Sequence, residues 1–325
     1  MTKSETTLSK LRAGSNSTQE CKELMSYLPK DRNFFTEHLY QYQGFWYPPN
    51  LLEGVLYSQK HFHARDSDII LVSSPKSGTT WLKALAFALV QRQEFQNPLE
   101  SHPLLHNNPH SLVPFIEAFN FHTQKDTFPR IFSTHIPLGS LPESVQDSSC
   151  KIVYCCRNPK DAFVSLWHFM KRLVLKEMVG CTMEEMVRGF CRGSSVYGPF
   201  WDHALEYWKE SLENPERVFF VMYEEMREKP EEWVMKIAEF LGCSFTEREV
   251  EDGVLEDIVN LCSLENLSKL EVNEKGKLVN GMETKAFFRK GEIGGWKDTL
   301  TPLLAEEIDK ATEEKLLGSA FRFFC

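Results

Sequence analysis

The sequence predicts a single α/β domain in which a central parallel sheet is flanked by helices. Three observations predict it: short apolar runs recur, helical patterns lie between them, and no repeat or long Pro/Gly linker divides the 325 residues. Strands of a parallel sheet are covered on both faces, so they form continuous apolar runs instead of alternating ones. The runs that we expect to be strands are 69–72, 130–133, 151–156 and 218–222.

Helical patterns follow the expected strands. One apolar face at helical spacing carries Trp81, Leu82, Leu85, Ala88 and Leu89. Capping side chains, prolines at first helical positions and terminal glycines predict further helices at about 160–173, 230–241 and 301–317. Strand and helix therefore alternate along the chain. The stretch 271–296 differs, since it has five glycines and little periodicity, which is typical of a functional loop.

Bulk composition limits the classes of function. A formal charge of −9 argues against a general nucleic-acid binder, because phosphate backbones are held by clustered Lys and Arg. Any anion site must then be local. The longest uninterrupted apolar run, 84–90, is far shorter than the roughly 20 residues of a membrane span. We therefore expect neither nucleic acid nor membrane as a partner.

The cysteines and the N-terminus indicate a cytoplasmic protein. The nine cysteines are an odd number without metal-ligand spacing, which favours free thiols in a reducing compartment. Residues 1–20 lack the apolar segment of a secretory signal and are rich in Ser and Thr. We predict a disordered tail over 1–20 and one domain over 21–325.

Basic side chains follow three of the four expected strands. Lys76 follows the first, His135 the second and Arg157 the third, while Tyr223 follows the fourth. Ligands of open parallel sheets bind at the carboxyl ends of the strands. The sequence thus predicts an anion site at this edge of the sheet.

The turn after the first strand is P-loop-like but is not a Walker A loop. Gly78 permits close backbone approach, and the free amides of a helix start attract anions. Lys76 precedes this glycine, whereas the lysine of a Walker A loop follows its glycine. His135 and Arg157 stand where nucleotide triphosphate chemistry would place a carboxylate for Mg²⁺. A sulfuryl group handled by fixed cations without a metal fits this pattern.

Three other interpretations stay open at this point. The turn could be a plain strand-to-helix connection, the chain could be a Mg²⁺-dependent kinase, or it could be a nucleotide-binding module without turnover. A metal face is disfavoured for His102, His106 and His110, because Pro103 and Pro109 interrupt a continuous helix there.

Four segments in order carry a family resemblance: PKSGTTW, THIPLGSLP, YCCRNPKDAFVSLWHF and FFRKGEIGGWKDTLT. They resemble the cytosolic sulfotransferases that use 3′-phosphoadenosine 5′-phosphosulfate (PAPS) and release adenosine 3′,5′-bisphosphate (PAP). The segments YQGFWYPPNLLEG and NPHSLVPFIE are similar to the flavonol and steroid sulfotransferases of plants. The resemblance spans about residues 42–323.

The resemblance implies a role for each matching residue. His135 would be the general base that takes the acceptor proton, and Lys76 would stabilise charge on the leaving phosphate. The 5′-phosphate cradle would comprise Lys76, Ser77, Gly78, Thr79, Thr80 and Trp81, with the Trp81 ring against the adenine. The 3′-phosphate site would comprise Arg157, Ser165, Arg289, Lys290 and Gly291. Tyr223 would contact the adenine.

Three positions depart from the family pattern. Leu264 stands where many members place an aromatic residue against the adenine, and Ser133 stands where animal members often have a lysine. Pro302 replaces the valine of the animal dimer motif and removes a backbone donor, so we expect a monomer or a weak dimer.

The sequence predicts an aromatic acceptor pocket. Aromatic residues near the expected pocket are Trp46, Tyr47, Phe115, Phe119, Phe121 and Phe169. They predict a small, flat, hydrophobic molecule with a hydroxyl group. Flavonols, brassinosteroid-like sterols and simple phenolics all fit this description.

Overall fold

A computed structural model describes residues 17–32, 38–94, 101–118, 129–174 and 182–324. Its strands form two sheets. A small antiparallel sheet has the order β1–β2–β3, with β1 at Lys30–Arg32, β2 at His38–Tyr42 and β3 at Phe45–Tyr47. A parallel sheet has the order β5–β4–β6–β7, with β4 at Ile69–Ser73, β5 at Ile131–Thr134, β6 at Lys151–Cys156 and β7 at Val218–Met222.

Helices fill the connections between the strands. In chain order they are α1 Gln19–Tyr27, α2 Pro49–His61, α3 Thr79–Gln91, α4 Pro109–Leu112, α5 Glu143–Gln146, α6 Pro159–Val174, α7 Met183–Cys191, α8 Phe200–Glu213, α9 Tyr223–Glu228, α10 Pro230–Phe240, α11 Glu247–Glu251, α12 Val254–Leu261, α13 Leu264–Lys269, α14 Glu271–Glu274 and α15 Pro302–Leu316. No helix among the described residues is both long and apolar enough to cross a membrane.

These elements confirm the predicted fold class, a parallel sheet between helices. The four expected strands are β4 to β7, and the expected helices are α3, α6, α10 and α15. The region 271–296 contains short turns of helix and is otherwise irregular, as its glycine content predicted.

Alternate residues of the parallel strands face two different cores. Ile70 and Val72 of β4 pack with apolar side chains of α1, α2 and α8. Leu71, their neighbour in the chain, packs on the opposite face with side chains of α3, α10 and α12. Burial on both faces explains the continuous apolar runs, since each residue of β4 is buried.

The strand register brings the four carboxyl ends to one edge of the sheet. Val72 of β4 is paired with Thr134 of β5, and Ser73 is paired with Cys155 of β6. At the far side of β6, Cys156 is paired with Met222 of β7. The residues that follow these pairs in the chain must therefore meet at this edge.

The first described helix begins close to the expected domain boundary. Helix α1 begins at Gln19 and is capped by the side chain of Thr18, so it starts two residues before the expected domain boundary. Glu20 of this helix bonds to Lys60 of α2 through its carboxylate. Residues 1–16, which make up most of the expected tail, lie outside the described residues.

Candidate active site

The connection from β4 to α3 has an unusual backbone. Gly78, the residue before α3, has a φ of +111°, and Lys76 adopts a φ of +69° although it is not a glycine. A left-handed conformation costs a side-chain-bearing residue roughly 1–2 kcal/mol. Such strain is often found at functional sites. The conformation places two turn residues, Ser77 and Gly78, directly before the free amides of a helix start.

The Lys76 ammonium lies among other cations. Its Nζ is 4.1 Å from the centroid of the Phe169 ring, and no hydrogen bond or ion pair joins it to another side chain among the described residues. Burial, together with the charges of Arg157, Arg289 and Arg172, lowers the pKa of Lys76 to about 7. A group with this pKa is restored to full charge when an anion binds beside it.

Arg157 joins the turn to the third strand end. This residue is 5% exposed, and its guanidinium donates to the carbonyl of Lys76 at 3.3 Å and to that of Glu292 at 3.0 Å. Its Cζ lies 4.4 Å from the centroid of the Tyr223 ring. Within the described part of the chain, Arg157 Nε and Ser77 Oγ are buried polar atoms without a hydrogen-bond partner. A bound anion would satisfy such donors.

The glycine-rich segment 288–296 is fixed against this edge by side chains from the strand ends. Tyr223 donates its hydroxyl hydrogen to the carbonyl of Gly291 at 2.8 Å. Asp161 in the first turn of α6 accepts from the amides of Gly294 at 2.7 Å and Trp296 at 2.9 Å. Gly291 has a φ of +65° and lies so close to Leu264 that a Cβ would be 2.3 Å from its side chain.

The other predicted nucleotide residues have varied environments. Arg289 is half-buried, and burial next to Arg157 lowers its pKa. Lys290 is exposed and contacts Asp298 at 3.3 Å and Glu292 at 3.5 Å. Ser165 is buried on α6 at 7% exposure.

The remaining turn residues, Thr79, Thr80 and Trp81, begin α3. Thr79 bonds to Ser73 by its hydroxyl at 2.6 Å. The Trp81 ring meets the Tyr223 ring edge-on, with 5.5 Å between centroids. The two aromatic residues predicted to face an adenine are thus neighbours, and the hydroxyl of Tyr223 is already engaged by Gly291.

His135 is oriented by the last residue of β4. Its Nδ1 is 2.6 Å from the carbonyl oxygen of Ser73. A carbonyl oxygen only accepts, so Nδ1 carries the hydrogen and Nε2 of the neutral ring keeps a free lone pair. Burial and the nearby charges of Lys83, His203 and Lys76 lower the pKa of His135 to about 3, which keeps the ring neutral.

Two buried side chains hold the backbone of His135. Glu117 accepts from its amide at 2.9 Å, and His203 bonds to its carbonyl oxygen through Nε2 at 2.9 Å. Glu117 also accepts from the hydroxyls of Thr134 and Tyr197, at 2.8 and 3.1 Å. Burial raises the pKa of this carboxyl. Neither Glu117 nor His203 was predicted, because each is far from His135 in sequence and matches no spacing rule.

Aromatic rings surround the imidazole of His135. The ring centroids of Phe115 and Tyr197 lie 5.0 and 5.4 Å from its centroid. Tyr47 contacts Tyr197 instead, at 5.5 Å, and Trp46 accepts from the amide of Tyr197 by its carbonyl. Phe119 and Phe121, which were also expected in the pocket, lie outside the described residues.

The histidine series 102, 106 and 110 does not form a helical face. A 3₁₀ turn spans Pro103–Leu105 and α4 begins at Pro109, so the prolines interrupt the helix as predicted. Within the described ranges no group of three His, Cys, Asp or Glu residues is arranged to hold a metal ion. His110 instead bonds to Thr80 and Lys83, two contacts that no sequence pattern predicts.

Comparisons with known proteins found a matching family model, a similar curated relative and similar solved structures. A family model described as a sulfotransferase domain matches residues 66–320. Cytosolic sulfotransferase 13 of Arabidopsis thaliana is 81% identical over 100% of both chains. The crystal structure of a provisionally assigned steroid sulphotransferase of Arabidopsis thaliana is similar with a TM-score of 0.76 at 46% identity, covering 96% of this chain and 98% of the other. A mouse sulfotransferase complexed with PAP has a TM-score of 0.65 at 27% identity, covering 86% and 95%.

We predict that Gly78→Ala destabilises the fold by about 2–4 kcal/mol. The new Cβ would lie 2.9 Å from Tyr223 and 3.0 Å from Cys155, at a φ of +111°. The free energy of unfolding in urea measures the loss. Gly242→Ala is the matched control, because Gly242 also has a positive φ, +76°, but nothing lies within 4 Å of its Cβ position. Equal losses in the two variants would contradict close packing at Gly78.

Proposed function

The chain belongs to the sulfotransferase domain family, and from this premise we propose that it transfers the sulfuryl group of PAPS to a hydroxyl group of a small hydrophobic acceptor. The observation that carries the proposal is the bond from His135 Nδ1 to the Ser73 carbonyl, 2.6 Å long. This bond leaves Nε2 of His135 free to accept a proton. His135 lies at the same edge of the parallel sheet as Lys76 and the cations around it. PAP, the product of such a transfer, is bound in the mouse relative.

The cationic edge suits a doubly phosphorylated nucleotide. We propose that the 5′-phosphate lies in the turn from Lys76 to Trp81 and that the 3′-phosphate lies near Arg157, Ser165 and the segment 289–291. The partnerless donors Ser77 Oγ and Arg157 Nε support this assignment, because an anion would satisfy them. Tyr223 fits a packing role beside the adenine better than a hydrogen-bonding one, since its hydroxyl is engaged by Gly291.

The proposed chemistry is an in-line displacement at sulfur. The acceptor oxygen attacks sulfur while its proton passes to Nε2 of His135. The bond between sulfur and the bridging oxygen breaks, and its electron pair stays on the 5′-phosphate of PAP. Lys76 stabilises this charge through its ammonium. The low pKa of His135 keeps Nε2 unprotonated before binding, and the negative nucleotide then raises that pKa toward a useful range.

Apolar rings support a hydrophobic acceptor. Phe115 and Tyr197 flank His135, and Phe169 lies under the Lys76 ammonium. An acceptor whose hydroxyl group lies between His135 and Lys76 must therefore place the rest of its molecule against these rings, which favours an apolar molecule. Flavonols, brassinosteroid-like sterols and phenolics remain the candidate classes, and the Arabidopsis structural relative carries a steroid assignment.

We extend the proposal to the compartment and the assembly. The relative with 81% identity is named a cytosolic protein, and we propose the cytoplasm for this chain. Pro302 occupies the first position of α15, where it lacks an N–H, and Thr301 caps the helix. A monomer or a weak dimer therefore stays our proposal.

We predict that His135→Ala lowers kcat about 10²- to 10⁴-fold, the usual contribution of a general base. PAP affinity should change less than about threefold, because His135 acts on the acceptor. Transfer of ³⁵S from labelled PAPS to flavonol, sterol and phenol acceptors measures turnover, and calorimetry measures PAP binding. His61→Ala is the control, since His61 is exposed on α2. Undiminished turnover in His135→Ala would refute the base, and EDTA-sensitive transfer from ATP would favour a kinase.

We predict that Lys76 takes up about one proton when PAP binds at pH 8 and close to none when PAP binds at pH 6. The pKa of free Lys76 is about 7, so the amine is mostly neutral at pH 8. The bound phosphate raises that pKa and recharges the amine. Calorimetry in buffers of different ionisation enthalpy counts the protons. Lys76→Met should remove this uptake at pH 8, where the phosphates of free PAP are already deprotonated. The same proton count in both proteins would contradict the assignment.

A further inference from the structure

Two polar side chains that the proposed mechanism leaves unexplained, Lys83 and His110, form one hydrogen-bonded chain with Thr80. Lys83 of α3 places its Nζ 3.0 Å from Nδ1 of His110. The other ring nitrogen of His110, Nε2, is 2.9 Å from the hydroxyl oxygen of Thr80. Thr80 begins α3 inside the predicted nucleotide turn. The chain thus leads from a buried ammonium group to the nucleotide site.

Lys83 is buried among groups that stabilise a positive charge. Its side chain is fully buried, and Nζ donates to the carbonyl of Val113 at 2.9 Å. Nζ also lies 3.5 Å from the centroid of the Phe115 ring, within the range of a cation–π contact. Burial lowers the pKa of Lys83 well below its usual value, while the Glu117 carboxylate acts in the opposite direction.

The chemistry of lysine sets the direction of the chain. The Val113 carbonyl and the Phe115 ring both favour the charged form of Lys83. An ammonium group only donates hydrogen bonds, so His110 Nδ1 accepts from Lys83. A neutral imidazole that accepts at Nδ1 carries its hydrogen on Nε2 and donates it to the Thr80 oxygen. Burial and the Lys83 charge lower the pKa of His110 well below its usual value and keep it neutral. The Thr80 hydroxyl hydrogen is then free to point at another acceptor.

Packing fixes the ring of His110 in this orientation. Its ring centroid lies 4.1 Å from that of Phe287 and 5.6 Å from that of Phe115, with interplanar angles of 32° and 20°. Phe115 in turn packs against His135. The imidazole of His110 therefore packs against two aromatic rings, and one of them, Phe115, also packs against the proposed base.

We propose that Lys83 and His110 are positioning residues for sulfuryl transfer, which force the Thr80 hydroxyl to donate its hydrogen to the oxygen atoms of the bound nucleotide. This inference rests on the proposed function. The pair acts through Thr80, so neither side chain contacts the reacting atoms. Through two hydrogen bonds, the positive charge of Lys83 also polarises the Thr80 hydroxyl toward an anion.

The first test is the tautomer of His110 in the intact protein. Selective ¹⁵N labelling of histidine, with His110→Phe to assign the signal, distinguishes hydrogen on Nε2 from hydrogen on Nδ1. The expected result is the neutral ring with hydrogen on Nε2, with and without PAP. Hydrogen on Nδ1, or a charged ring, would overturn the direction of the chain.

The second test is a double-mutant cycle on PAP affinity. Lys83→Met and Thr80→Val should each weaken PAP binding about tenfold, the loss typical of a hydrogen bond to a charged group. The double variant should bind PAP no more weakly than Thr80→Val, because the Lys83 effect passes through Thr80. Additive losses would show that Lys83 acts only on structure and would overturn the proposal.

Lys151→Met is the control for Lys83→Met, because it removes a partly buried lysine far from the nucleotide turn. Lys151 also donates to a backbone carbonyl, that of Phe240, and lies 4.6 Å from the Phe240 ring, but it begins β6 at the opposite edge of the sheet. Its variant should bind PAP within twofold of the wild type. If Lys83→Met does not fold, His110→Phe keeps the ring packing and replaces it in the cycle, with the same non-additive result expected.

The outcomes separate this inference from the proposed function. Wild-type protein that transfers no sulfuryl group from PAPS would count against the proposed function, while the tautomer and the PAP cycle would still decide the donor chain. Wild-type transfer together with an additive cycle would overturn the inference and leave the proposed function intact.

Discussion

The pairing of β4 between β5 and β6 is the constraint on which the site depends. Val72 pairs with Thr134 and Ser73 pairs with Cys155, so the chain leaves all three strands at one level. The next residue after Thr134 is His135, and its ring continues the contact between β5 and β4 by donating to the Ser73 carbonyl. A shift of one residue in this register would turn the imidazole to the other face of the sheet and separate it from the cationic turn.

The same edge concentrates positive charge in a protein whose net charge is −9. Lys76, Arg157 and Arg289 repel one another, and this repulsion adds to the effect of burial in lowering the pKa of Lys76. Part of the fold must hold them together against this repulsion. Asp161 provides such support indirectly, since it fixes the segment that carries Arg289 by accepting from two backbone amides. An edge that retains such repulsion without an anion is suited to bind one strongly.

Much of this arrangement was predictable from sequence, because it follows from local patterns. Continuous apolar runs identify β4 to β7, and the strand-end rule then brings Lys76, His135 and Arg157 to one edge. Lys83 was missed because it lies within an apolar helix and its partners follow 27 and 30 residues later. Glu117 and His203 were missed because each lies far from His135 in sequence. The strands β1 and β3 have three residues each, too few to show a periodicity.

The central claim is that one nucleotide site and one base share the carboxyl edge of this sheet. A crystal structure of the protein with PAP tests it most directly. Our account predicts the 5′-phosphate in the turn from Lys76 to Trp81, the 3′-phosphate on Arg157, and Nε2 of His135 facing the open space beside the 5′-phosphate. A nucleotide bound at another edge, or a His135 ring that turns Nε2 away from the 5′-phosphate, would contradict it.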